Sequence, residues 1–176
     1  MRKCSFVVFV GTWHAMYEYT PVSRETFGRS TLRPYTFYLL YSMRRISLII
    51  IHCSGNSRGS SLRMADIDRY HRSKGWKGCG YHYVIPTDGT IEKGRPEEMC
   101  GAHCKNHNRH SIGVCYVGGL EADGKTPADT RTPAQIRALE QLLYDLCKRY
   151  PKAIVVGHCD LDPQKPFCPG FESFEL

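Results

Sequence analysis

Residues 46–52 read Ile46-Ser47-Leu48-Ile49-Ile50-Ile51-His52, an apolar run that ends on a histidine. A continuous apolar run of this length, with no polar residue alternating through it, is the pattern of a strand buried on both faces. Further along, Ala153-Ile154-Val155-Val156-Gly157 reads as a last strand and also delivers a histidine, His158. Between them the chain alternates. Ser54 to Leu62 is rich in Gly and Ser and reads as a loop. Met64 to Lys74 has helical spacing at Met64, Ile67, Tyr70 and His71 and is closed by Gly75. Tyr81 to Ile85 reads as a strand, with Asp88-Gly89 turning the chain into Thr90-Ile91-Glu92. Ile112 to Val117 is a further strand, ended by Gly118-Gly119. Thr132-Pro133-Ala134-Gln135 opens a helix with an N-cap, a proline at the first helical position and a capping-box glutamine. Ile136, Leu139, Leu142, Leu143, Leu146 and Tyr150 then keep one face apolar until Pro151. Strands interleaved with helices give the fold class, α/β, with a mixed central β-sheet flanked by helices.

The first 42 residues lack this patterning. Met43 is expected to be the natural start, residues 1–42 an upstream extension or poorly ordered arm, and 43–176 the functional domain; the alternative is an N-terminal element packed on that domain. The whole chain has 24 Lys and Arg against 17 Asp and Glu, a net charge of +7. A basic balance favours an anionic partner such as nucleic acid, a membrane surface or an acidic wall polymer. With no run of basic residues and no nucleic-acid signature, nucleic acid is not expected. No apolar run is long enough for a membrane span. The first 15 residues make a poor signal peptide, because Gly11, Trp13 and His14 interrupt the apolar stretch. Nine cysteines cannot all pair within one chain, so most are read as reduced, with at least one available to a metal.

Chemistry is expected where the strands end. His52 and His158 each finish a strand, and neighbouring strands can bring two imidazoles to one point. Ten residues beyond His158 lies Cys168, in a proline-rich loop. Two imidazoles and a thiolate suit Zn²⁺ and leave a fourth tetrahedral position for water, whose pKa the metal lowers to about 7. Cys53 and Cys159 adjoin the histidines but alternate away from them. The Cys- and His-rich stretch Cys100 to His110 lacks a paired Cys-x-x-Cys and is read as a groove-lining loop.

In order and spacing, several segments resemble the zinc N-acetylmuramoyl-L-alanine amidases, a group that includes amidase-type phage lysozymes and is related to the peptidoglycan recognition proteins. They are Ile49 to Ser54, Tyr70-His71, Gly75-Trp76, Gly80 to Ile85, Asp88 to Arg95, Gly101-Ala102-His103, Asn108, Ser111 to Val114, Gly118-Gly119, Thr132 to Gln135, Gly157-His158 and Cys168-Pro169. The resemblance covers about residues 46–171. It implies that fold, and hydrolysis of the amide between N-acetylmuramic acid and L-alanine in bacterial peptidoglycan. It implies one Zn²⁺ held by His52, His158 and Cys168. Tyr81 matches a catalytic tyrosine facing the metal, and Lys165 a lysine that stabilises the oxyanion. The family pattern is Lys-x-Cys, whereas Pro166 and Phe167 here set Lys165 three positions before Cys168. His103 and Asn108 are expected as substrate-binding groove residues, Asp160 as a carboxylate orienting an imidazole or as a loop cap, and His71 and His82 as structural. The alternative function is a non-catalytic peptidoglycan-binding module, the outcome in relatives that lack the cysteine ligand. A monomer is expected, cytoplasmic until released to the cell wall. The family continues into a terminal helix beyond the matching segment, so the domain is expected to be shortened at its C-terminus.

Overall fold

Strand β1, Leu48–Cys53, is hydrogen-bonded on both sides by parallel neighbours, which explains why its sequence is apolar on both faces. This is seen in a computed structural model, which describes residues 44–172. The expected N-terminal extension, Met43 and residues 173–176 lie outside the described residues. The remaining strands are β2 (Asn56–Ser57), β3 (Tyr83–Ile85), β4 (Glu92–Lys93), β5 (Ser111–Tyr116), β6 (Gly119–Leu120) and β7 (Ile154–Gly157). The helices are α1 (Met64–Ser73) and α2 (Pro133–Arg149). Five strands form one sheet in the order β4-β3-β5-β1-β7, parallel except for the antiparallel β3-β4 pair, so the sheet is mixed as expected. The loop read between Ser54 and Leu62 contains β2, which pairs with β6 in a separate two-stranded sheet.

Alternation along the strands sorts the sheet into two faces. Ile49 and Ile51 of β1, Ile112, Val114 and Tyr116 of β5, and Tyr83 and Ile85 of β3 pack against Leu139, Leu142, Leu143 and Leu146 of α2. These helix positions follow the spacing read from the sequence, and burial of each stabilises the fold by about 1.5–3 kcal/mol. On the opposite face Val84 packs with Ile67 of α1, Cys79 and Val117. That second face also carries His52, whose partner on β5 is Cys115. No helix among the described residues is long and apolar enough to cross a membrane.

Strand β3 begins two residues later than the sequence predicts. Tyr81 and His82 lie in the irregular approach to it.

The start of α2 carries more than a cap. Thr132 Oγ1 accepts the Gln135 N–H and Gln135 Oε1 accepts the Thr132 N–H, the reciprocal capping box expected from Thr-Pro-Ala-Gln. The same Gln135 amide is fully buried and donates to the carbonyls of Ile85 and Val117, where β3 and β5 end. One side chain thus caps the helix and fastens it to the sheet. Gln135→Leu should lower the free energy of unfolding in urea by about 2–4 kcal/mol, because the Thr132 N–H loses its side-chain acceptor and a buried carbonyl is orphaned, while the backbone bond to Thr132 Oγ1 remains. A change below about 0.5 kcal/mol would contradict this.

Candidate metal centre

The register of β1 with β7 builds the site. Ile51 pairs with Gly157, and one residue further along the two parallel chains come His52 and His158. His158 opens a short 3-10 turn, His158–Asp160, which swings its ring toward β1. The Nδ1 atoms of His52 and His158 face each other at 3.1 Å, with ring centroids 4.5 Å apart. Cys168 Sγ lies 3.9 Å from His52 Nδ1, and all three donor atoms fall within 4.8 Å of one another. A tetrahedral zinc with bonds of about 2.0–2.3 Å separates its ligands by roughly 3.3–3.6 Å, so this donor set fits such an ion without rearranging the backbone.

Cys168 is brought in by its loop. The Cys159 N–H donates to the Cys168 carbonyl at 2.7 Å, tying the two ligand segments together. The Tyr116 hydroxyl, rising from the core, donates to the Pro169 carbonyl at 2.6 Å. The Cys53 N–H points at Cys168 Sγ at 3.4 Å, a donor suited to a thiolate. The neighbouring Cys53 thiol, together with burial, pushes the Cys168 thiol far above its ordinary range, while Cys168 brings the Cys53 thiol down against the effect of burial. A coordinated cation reverses such a shift, since it deprotonates a ligating thiol outright.

The imidazoles are prepared as neutral donors. Burial drives the His52 and His103 rings well below the usual histidine range, reinforced for His52 by His103 and His158 and for His103 by His82 and His158. His158 is lowered more modestly by burial, opposed by Asp162. The carboxylate beside the His158 ring is that of Asp162, 3.8 Å from Nε2. Asp160 accepts the Gly157 N–H at 2.7 Å, which caps the turn that carries His158. The signal for Asp162 was its position four residues after His158.

Tyr81 lies against His52, with ring centroids 5.2 Å apart. Burial raises the phenol well above its ordinary range, so it is a neutral donor. Tyr81 also forms one wall of a cleft of about 450 Å³ lined by Ser54, Asn56, Asp66, Tyr70 and His71. Lys165 is exposed; its carbonyl accepts the Cys168 N–H at 3.1 Å, and its charge is felt at His158. His103 and Asn108, expected in the groove, do not line this cleft. The His103 ring is 3.0 Å from His52 Nε2, and Asn108 Oδ1 accepts the backbone N–H groups of His103 and Cys104. No second group of metal-competent side chains occurs among the described residues, and the Cys100–His110 stretch forms none of its own.

These three protein donors, one short of a closed tetrahedral set, could hold a metal ion with one coordination position left open. A family model described as N-acetylmuramoyl-L-alanine amidase matches residues 42–171. The endolysin of Escherichia phage T7 is 40% identical over 124 residues, covering 70% of this chain and 80% of that protein. The endolysin of Enterobacteria phage K11 is 39% identical over 126 residues, 72% of this chain and 82% of that one. Among solved structures, the N-acetylmuramoyl-L-alanine amidase LysC from Clostridium intestinale URNW aligns with a TM-score of 0.62 at 29% identity, over 77% of this chain and 83% of its own. Bumblebee PGRP-SA, at 23% identity and a TM-score of 0.59 over 74% of this chain and 78% of its own, shares the fold. The chain belongs to the N-acetylmuramoyl-L-alanine amidase family.

His82, set beside the centre, gives the domain a pH signature. Its Nδ1 accepts the Gly113 N–H at 2.9 Å and its Nε2 is 3.1 Å from the Met99 carbonyl, a pairing that needs the neutral ring. Burial holds its pKa down to about 4 from 6.5. Between these values the unfolded chain takes up a proton that the folded chain refuses. The stability is therefore complete above pH 6.5 and lost as pH falls toward 4. In metal-free protein, urea unfolding at about pH 4.5 and pH 7 should show His82→Asn losing about 2–3 kcal/mol less than the wild type. Equal losses would contradict the assignment.

Proposed function

We propose that the chain is an endolysin-type hydrolase that cleaves the amide between N-acetylmuramic acid and the first L-alanine of the peptidoglycan stem peptide. It would use one zinc ion per chain held by His52 Nδ1, His158 Nδ1 and Cys168 Sγ. The observation that carries this reading is the convergence of those donors beside the Tyr81-lined cleft, in a chain of the amidase family. Bound there, zinc supplies a Lewis acid for the amide carbonyl and a water acidified to about pKa 7.

The chain's own residues do the rest. The cleft holds the muramyl peptide so that its amide carbonyl lies between the donor cluster and Tyr81. The neutral phenol donates a hydrogen bond to the oxyanion that develops as water adds to the carbonyl carbon, a contact strengthened by the burial around it. Lys165, carried on the exposed loop before Cys168, contributes positive charge to the same oxyanion. As the carbon–nitrogen bond breaks, the L-alanine amine takes a proton originating from the attacking water, relayed by Tyr81 or solvent. Cys168 sits beside both histidines, which supports hydrolysis over the alternative of peptidoglycan binding without cleavage. The substrate lies in the cell wall, so the enzyme acts there after leaving the cytoplasm, as a monomer with one cleft per chain.

On purified peptidoglycan, the wild type should release new alanine N-termini. A chelator should abolish the release and added zinc restore it, while Cys168→Ser should sharply reduce both zinc content and cleavage. Wall binding without zinc or cleavage by the wild type would establish the recognition module instead. Tyr81→Phe should keep its zinc and lose about 10²-fold in kcat, the size expected for one oxyanion donor; full activity would reject its role. Lys165→Ala should lower kcat by a smaller factor.

A further inference from the structure

His103 has a place in the fold that a groove residue does not need. Its ring rests where two glycines leave room. A Cβ at Gly113, on β5, would come within 2.6 Å of the ring, and one at Gly101 within 2.5 Å. Its backbone is held by the Asn108 side chain, which accepts the His103 N–H at 2.7 Å. Both ring nitrogens are engaged, Nδ1 at 3.0 Å from His52 Nε2 and Nε2 at 3.3 Å from Ser111 Oγ.

The directions of the protons in this chain follow from its far end. The Ser111 hydroxyl donates its only proton to the His107 carbonyl at 2.8 Å, and a carbonyl can only accept. Ser111 Oγ therefore accepts from His103 Nε2–H. The neutral His103 ring then has a lone pair at Nδ1, which accepts from His52 Nε2–H. His52 is left with its lone pair on Nδ1, the nitrogen that faces His158 Nδ1 and Cys168 Sγ.

We propose that His103 is a positioning residue for the metal: by accepting the Nε2 proton of His52 it selects the tautomer whose Nδ1 lone pair meets the ion, with Ser111 and Asn108 holding His103 in its own tautomer and place. This rests on the zinc reading above. A ligating imidazole whose second nitrogen is hydrogen-bonded is a more basic and better oriented ligand, and loss of such a partner typically costs 10–100-fold in metal affinity. His103→Leu fills the space without an acceptor. His103→Asn places an amide oxygen near the position of Nδ1 and keeps one.

The test is zinc affinity, measured by chelator competition on the folded metal-free proteins, with unfolding curves recorded in parallel and the thiolate absorption band of the cobalt(II)-loaded forms as a spectroscopic check. His103→Leu should bind zinc 10–100-fold more weakly than the wild type and shift the cobalt band, and His103→Asn should recover most of the affinity. Leu and Asn variants that bind within twofold of the wild type, or that bind equally weakly, would overturn the proposal. If the His103 variants do not fold, Ser111→Ala decides: at least a threefold loss of zinc affinity supports the chain, and unchanged affinity overturns it. A wild type that binds no zinc at all would instead refute the metal reading, and the inference with it.

Discussion

The in-register parallel pairing of β1 with β7 is the constraint on which the site depends. Because Ile51 stands opposite Gly157, the next residue on each chain is a histidine, and both rings emerge at the same edge of the sheet. A shift of one residue would send one ring to the α2 face and break the donor set. The register is held by burial: Ile49, Ile50 and Ile51 have no exposed surface, and any slip would place a different set of side chains against α2. The donor geometry thus rests on a buried strand, β1, rather than on a loop.

The third donor is secured differently. Cys168 lies on an irregular loop, and loops place side chains less accurately than strands. Here the loop is pinned from both sides, by the Cys159 N–H and by the Tyr116 hydroxyl reaching out of the core to the Pro169 carbonyl. Tyr116 stands on β5, next to β1, so the strand that supports His52 also anchors the cysteine loop. The three donors are therefore referred to one frame although they are separated widely in the chain.

Much of this was legible in the sequence. The apolar run before His52 is the buried strand it reads as, the run before His158 is the edge strand β7 with Ile154 exposed, and their matching histidine ends pointed to a shared site. Thr132 and Gln135 marked the start of α2 through cap chemistry that is local by nature. What escaped was non-local. Strands β2 and β6 have two residues each, too short for a period to register. Gln135 read as a cap, and its bonds to Ile85 and Val117 depend on where three elements meet. Tyr81 and His82 read as strand residues, but the strand starts only at Tyr83. His103 and Asn108 read as groove residues, and nothing in the sequence signalled their packing near His52, a placement that depends on the glycines at 101 and 113. Asp162 lies beside His158, since the 3-10 turn brings round the residue four positions on.

The central claim is that His52, His158 and Cys168 alone hold the metal, with one position left for the reaction. Cys53, hydrogen-bonded to Cys168, is the competing donor among the described residues. Zinc K-edge X-ray absorption on the metal-loaded protein separates the cases directly. The account predicts two nitrogens at about 2.0 Å, one sulfur at about 2.3 Å and one light oxygen-type neighbour. A shell with two sulfurs, or with four protein donors and no solvent position, would contradict it.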